Sequence, residues 1–193
     1  MKKYFLWFTG VIIGFGCGPR TENTGGSSPD LSEYYTRGQE VAAVAQQTFF
    51  QEVSEALAEG GTEYALQFMH PVDNPKIDSL DNLYQCTIGR TSNKIRNVAN
   101  KPSGPEELAL VEAYVAGKIT GDTVIIRDQH PVFYQPILLS MPACLQCHGQ
   151  PSVDITEETL DALRNLYPDD QATGYKLGDV RGLWKVTFRN GVE

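Results

Sequence analysis

Apolar positions change their period partway along the chain, and the change separates a helical first half from a largely extended second half. Val41, Ala45, Phe49, Val53 and Leu57 recur every four residues, which puts them on one stripe of a helix over residues 30–57. Asp30 and Glu33 have the spacing of a capping box at its start, and Gly60-Gly61 ends it. Thr62 caps a second, short helix that runs to Met69. It stops there because His70 precedes Pro71 and is pushed out of helical space. Residues 77–83 read as a third helix and 105–116 as a fourth. Beyond residue 84 the period shortens: 85–90, 123–127, 132–139 and 182–189 are strands, the middle two paired as a hairpin. Residues 142–151, bounded by proline and glycine, read as a loop, and 155–166 as a helix. Helices first and an antiparallel sheet later define an α+β domain, with no internal repeat.

The start of the chain follows another pattern. Lys2 and Lys3 precede an apolar stretch over residues 4–16, a positive start and short greasy core that read as a secretory signal. The stretch is shorter than the roughly 20 apolar residues of a spanning helix. It ends in Gly14-Phe15-Gly16-Cys17, which resembles a bacterial lipoprotein processing site with Cys17 as the lipidated residue. Residues 18–30 are rich in Gly, Ser, Thr and Pro and read as a flexible tether with a reach of about 20 Å. The expected organisation is a lipoprotein-type signal over 1–16, a tether over 17–30 and one domain over 31–193. The protein is expected outside the cytoplasm, in the periplasm or at the cell surface, anchored to the membrane through Cys17.

Composition adds two exclusions and one opening. A net charge of −8, which becomes −10 when Lys2 and Lys3 are removed with the leader, argues against nucleic acid as a partner. It argues equally against electrostatic docking on anionic lipid. Four cysteines in an exported chain first suggest two disulfides. A better partition gives Cys17 to lipid, Cys144 and Cys147 to the run Cys144-Leu145-Gln146-Cys147-His148, and leaves Cys86 over. Two thiols three positions apart can add to the two vinyl groups of haem, and the histidine that follows becomes the proximal iron ligand. The alternatives are a zinc site, which lacks a second Cys/His pair, a thioredoxin-like pair without its βαβ unit, and a plain Cys144–Cys147 disulfide.

Further segments carry a family resemblance. They are Gly89-Arg90-Thr91-Ser92, Lys94-Ile95-Arg96-Asn97, Asn100-Lys101-Pro102, the run from Cys144 to Gly149, Tyr167-Pro168-Asp169-Asp170-Gln171-Ala172-Thr173-Gly174-Tyr175, Gly178-Asp179 and Arg181-Gly182. Over roughly residues 33–190 the chain resembles single-haem c-type domains of PAS-like fold. These occur as sensor regions of bacterial histidine kinases and chemoreceptors, and as stand-alone exported haem proteins. The resemblance implies a PAS-like antiparallel sheet preceded by N-terminal helices, and haem c as cofactor. It also implies a distal cysteine ligand in an A-[IL]-x-x-C segment. The corresponding segment here is Ala65-Leu66-Gln67-Phe68-Met69, so Met69 stands where the family has cysteine.

The distal side therefore has several candidates. Met69 fits by position, and thioether with imidazole is a common c-type pairing; the alternative is a core methionine filling a gap. His70 and Cys86 are the other candidate iron ligands, set against a helix-end histidine and a buried free thiol. His130 reads as an exposed residue of a hairpin turn. Arg90, Arg96 and Lys94 form a basic cluster in an acidic protein, with the two arginines expected to hold haem propionates through their planar forks. Tyr134 and Tyr175 either line the pocket or pack in the core, Trp184 and Phe188 read as core, and Asp169 and Asp170 as turn residues. The expected function is redox or ligand sensing, or electron transfer, through a six-coordinate haem, without enzymatic activity and with a separate redox or signalling protein as partner. The competing readings are a small peroxidase-like haem enzyme and a non-haem ligand-binding lipoprotein with a Cys144–Cys147 disulfide.

Overall fold

The computed structural model describes residues 30–70 and 74–189; the leader, Cys17 and nearly all of the tether lie outside the described residues. The apolar stripe from Val41 to Leu57 forms helix α1 (Ser32–Met69), which buries Val41, Ala42, Ala45 and Ala56. The double glycine interrupts it as expected. Gly61 sits at φ 69°, where a side chain would be strained, and Gly60 is also non-helical, so the segment is two helical arms that meet at a kink. Neither expected cap forms. Asp30 accepts a hydrogen bond from the Ser32 amide at 2.9 Å, but Glu33 pairs with Arg37 one turn on. Thr62 instead places its hydroxyl 2.5 Å from that of Thr159, tying the second arm of α1 to a later helix.

Helix α2 (Pro75–Tyr84) starts earlier than the apolar pattern suggests, because Asn74 and Pro75 form a good N-terminus. Asn74 accepts from the amides of Lys76 and Ile77, and Pro75 needs no hydrogen-bond acceptor. Buried Glu52 of α1 binds the Asn74 side chain at 2.7 Å and Lys76 at 3.4 Å, stapling α2 to α1. Then come strand β1 (Cys86–Thr91), helix α3 (Pro105–Val115), strands β2 (Thr123–Arg127) and β3 (His130–Leu138), helices α4 (Pro142–His148) and α5 (Glu157–Leu166), and strand β4 (Val180–Phe188). The hairpin turn is Asp128-Gln129, both at positive φ as a tight two-residue turn requires. His130, expected in the turn, already pairs with Arg127 in the ladder, and its Nδ1 donates to the Phe188 carbonyl at 3.0 Å.

The four strands form one antiparallel sheet in the order β1-β4-β3-β2. The last strand thus lies inside the sheet, and its alternating side chains serve two cores. Trp184, Val186 and Phe188 pack with Ile88, Cys86 and Phe133 under Val41, Ala42 and Ala45 of α1. On the other face Leu183 packs with Val132, Tyr134, and Val111 and Tyr114 of α3. Glu107 of α3, almost wholly buried, binds Lys185 at 3.0 Å and Arg127 at 3.2 Å, locking α3 to β4 and β2. The β3–β4 register slips at Ile137/Leu138, a bulge that bends the sheet end where α4 begins. No described helix is long and apolar enough to cross a membrane.

Contact between α1 and the sheet depends on Gly38, where an added Cβ would collide with the Phe133 ring. Gly38→Ala should destabilise the domain by about 1–3 kcal/mol despite alanine's better helix propensity, because overpacking outweighs that gain. Urea unfolding of the two proteins measures it, and equal midpoints would refute the tight contact.

Candidate functional site

Residues 142–151 do not form the expected loop. Pro142 takes the first position of a short helix, and the Cys144 amide closes onto the Met141 carbonyl at 3.0 Å. The helix has a geometric consequence: residues at i, i+3 and i+4 share one face, so Cys144, Cys147 and His148 all present themselves to the same side. All three line one cavity of about 310 Å³. Its other walls come from distant segments: Phe49, Phe50, Val53, Leu57, Leu66 and Met69 of α1, Arg90 of β1, Arg96 after it, and Arg181 and Trp184 of β4. Cys144 and Cys147 are free thiols.

One arginine braces this helix. Arg96 forms a two-pronged ion pair with Asp170, Nε to Oδ1 at 3.2 Å and Nη2 to Oδ2 at 3.0 Å. The same Nη2 donates to the Cys147 carbonyl at 2.6 Å and reaches the Ala172 carbonyl at 3.3 Å. Both partners are about nine-tenths buried. Around this pair the 167–175 segment is laced to α4: the Gly174 amide donates to Gly149 O at 2.7 Å and the Tyr175 amide to His148 O at 3.0 Å. The Ala172 carbonyl also receives His148 Nδ1 at 2.8 Å. A carbonyl only accepts, so Nδ1 carries the hydrogen and Nε2 keeps the lone pair, the arrangement of a metal-binding imidazole. Burial, and then the charges of Arg96 and Arg181, push the His148 pKa well below its ordinary value, which keeps the ring neutral. Burial likewise raises the Cys147 thiol pKa, with Arg96 opposing it.

The expected site residues separate into two groups. Met69, Arg90, Arg96, Cys144, Cys147 and His148, spread over eighty positions of sequence, come together in the cavity. Cys86 does not: it is fully buried in the core beneath α1, and burial pushes its thiol pKa up to about 11. His70 does not either, being exposed with its ring edge-on to Tyr167 at 5.0 Å. Lys94 donates to the Thr173 carbonyl at 3.0 Å, and Tyr134 packs in the α3 core. Tyr175 is buried, edge-on to the His148 ring at 6.2 Å. Arg96, expected on a propionate, has its fork taken by Asp170. Sequence reasoning missed Asp170 as that partner, and missed Arg181 as a cavity residue. Both lie in runs that carried the family resemblance, which was their one visible signal.

The cavity meets simple tests for a haem of c type. Two thiols and a neutral imidazole share a wall, the α1 wall is mostly apolar, and three buried polar atoms on the lining residues, Thr91 Oγ1, Arg181 Nε and Trp184 Nε1, have no partner among the described residues. Among the described residues no cluster of three His, Cys, Asp or Glu side chains could hold a bare metal ion. Fold and site together define a PAS-like α+β domain with a CxxCH helix along the wall of a cavity. The model of the Tll0287-like family matches residues 33–189, and the chain belongs to that family. In fold it is similar to the crystal structure of the cyanobacterial haem protein Tll0287. That match has a TM-score of 0.58 at 16% identity, covering 86% of this chain and 99% of that one. No curated protein matches the chain.

Removing one member of the buried Arg96–Asp170 pair strands the other. Arg96→Gln and Asp170→Asn should each destabilise by about 3–5 kcal/mol, and the double variant by clearly less than their sum. Denaturant unfolding of the four proteins in a double-mutant cycle measures this; additive losses would show that the pair acts as two independent residues.

Proposed function

We propose that this chain is an exported, lipid-anchored protein that carries one c-type haem and works in redox or ligand sensing or in electron transfer. The observation that carries this reading is the convergence of Cys144, Cys147, His148 and Met69 on one cavity. Each thiol would add across a haem vinyl group, sulfur bonding one carbon and the proton going to the other, with no net oxidation. His148, its tautomer held by Ala172, would supply Nε2 to the iron, and Met69 its thioether. Bound there, the haem supplies a one-electron iron couple. The protein's own part is to fix the ligands and exclude water with Phe49, Phe50, Val53 and Leu57. Two fixed ligands suit a change of oxidation state with little rearrangement. The haem protein whose fold this chain shares and membership of the family support the cofactor assignment.

The expectation of a non-enzymatic role rests on the sequence reading. Export and the anchor on Cys17 rest on the sequence, as does a separate redox or signalling protein as partner.

Full-length protein co-expressed with a cytochrome c maturation system should give the pyridine haemochrome spectrum of two thioether links, and Cys144→Ala or Cys147→Ala that of one link. A wild-type chain without covalent haem would end this reading. Met69→Ala should lose the ferric methionine–iron charge-transfer band, whereas His70→Ala and Cys86→Ala should keep it; an unchanged Met69→Ala spectrum would remove Met69 as ligand.

A further inference from the structure

Three guanidinium groups line the cavity, and one carboxylate answers them. Arg96 is matched by Asp170. Arg90 makes neither a hydrogen bond nor an ion pair among the described residues; its guanidinium lies 4.3 Å from the Phe49 ring centroid and 5.8 Å from that of Trp184. Burial, then the nearby charge of Arg181, depresses its pKa to about 10. Arg181 donates from Nη1 to the Ser92 hydroxyl at 2.9 Å and the Lys94 carbonyl at 3.0 Å, both uncharged, while its Nε is buried without a partner. Thr91 Oγ1 and Trp184 Nε1, on the same two strands, are also buried and unpartnered. An aromatic face attracts a cation too weakly to replace a counter-ion, and a desolvated charge without a partner is strongly destabilising. The β1–β4 wall thus presents two guanidinium groups without a carboxylate partner, and the spare Trp184 indole N–H, to a cavity with no carboxylate among its described lining residues.

We infer that Arg90 and Arg181 form a clamp for two carboxylates, the propionates of the haem, with the Trp184 indole N–H as a further hydrogen-bonding group. The inference rests on the haem reading above and sharpens it. Two unmatched guanidinium groups equal the charge of a haem's two propionates. The arginine that joins Arg90 is Arg181, since Arg96 spends its fork on Asp170 and the Cys147 carbonyl. The clamp directs the propionate edge of the macrocycle to β1 and β4. A planar fork suits this task better than an ammonium, because it can hold both oxygens of a carboxylate.

The test uses the full-length holoprotein with isotope label in the propionate carboxyl groups only, which separates them from any free carboxylate in solution. Redox-induced infrared difference spectra and reduction potentials are compared for wild type, Arg90→Gln and Arg181→Gln. Arg164→Gln, an exposed position on α5, gives the baseline. Thioether links hold the haem in each variant, and Arg90→Lys and Arg181→Lys keep the charge where a glutamine variant fails to fold. The labelled carboxylate bands should shift in the variants at both clamp positions and not in Arg164→Gln. The potential should fall in the glutamine variants, because a cation that disfavours ferric iron has been removed, and recover partly in the lysine variants. Labelled bands that coincide with wild type in haem-loaded variants would overturn the clamp alone. A wild-type chain without covalent haem would overturn the haem reading and the clamp with it.

Discussion

The Arg96 guanidinium is where the construction of this site meets. It is the point at which the segment after β1, the CxxCH helix and the 167–175 segment are joined, through Asp170 and the carbonyls of Cys147 and Ala172. The Ala172 carbonyl in turn receives His148, so one cation indirectly sets the tautomer and orientation of the imidazole. A seven-residue helix has little stability of its own, since nucleation is costly and its hydrogen bonds few. It is held by what it docks against: this pair, the backbone bonds beside it, and the apolar packing of Cys144, Leu145 and Cys147.

The sheet supplies a rigid frame for that assembly. Because β4 is central, its side chains reach both cores, and its first residues form part of the cavity wall. Gly182 is needed there: a Cβ would meet the Thr91 carbonyl at 2.5 Å, so the close approach that carries Arg181 and Arg90 to one wall depends on its absence. The apolar stripe of α1 has a double role of the same kind. Its earlier part covers the sheet, and its later part, from Phe49 to Met69, closes the cavity.

Charge gives the cavity its direction. One wall is apolar, the opposite strands bring arginines, and α4 brings thiols and a neutral imidazole. The positive field disfavours protonation of His148, in the same sense as burial. In an acidic protein of net charge −8 such a cluster of partly buried arginines is a local feature, built by tertiary contacts and hidden in the total.

What could be read from the sequence were features whose cause is local. The four-residue period of α1, the break at Gly60-Gly61, the hairpin and the α+β order follow from side-chain periodicity and backbone sterics over a few residues. The Cys144-Leu145-Gln146-Cys147-His148 run is legible because its chemistry depends only on short spacing. Features that depend on another part of the chain were not legible. Nothing local says that 142–148 is a helix, because docking stabilises it; that Thr62 bonds Thr159; or that Asp170, which reads as a turn residue, neutralises Arg96. Met69, favoured by position, and its alternatives His70 and Cys86 were all open along the chain, and packing put Met69 on the cavity, left His70 exposed and put Cys86 in the core. Spacing along the chain determined the attachment chemistry, while the folded chain decided which distant groups face it, since burial and charge pairing are set by neighbours in space.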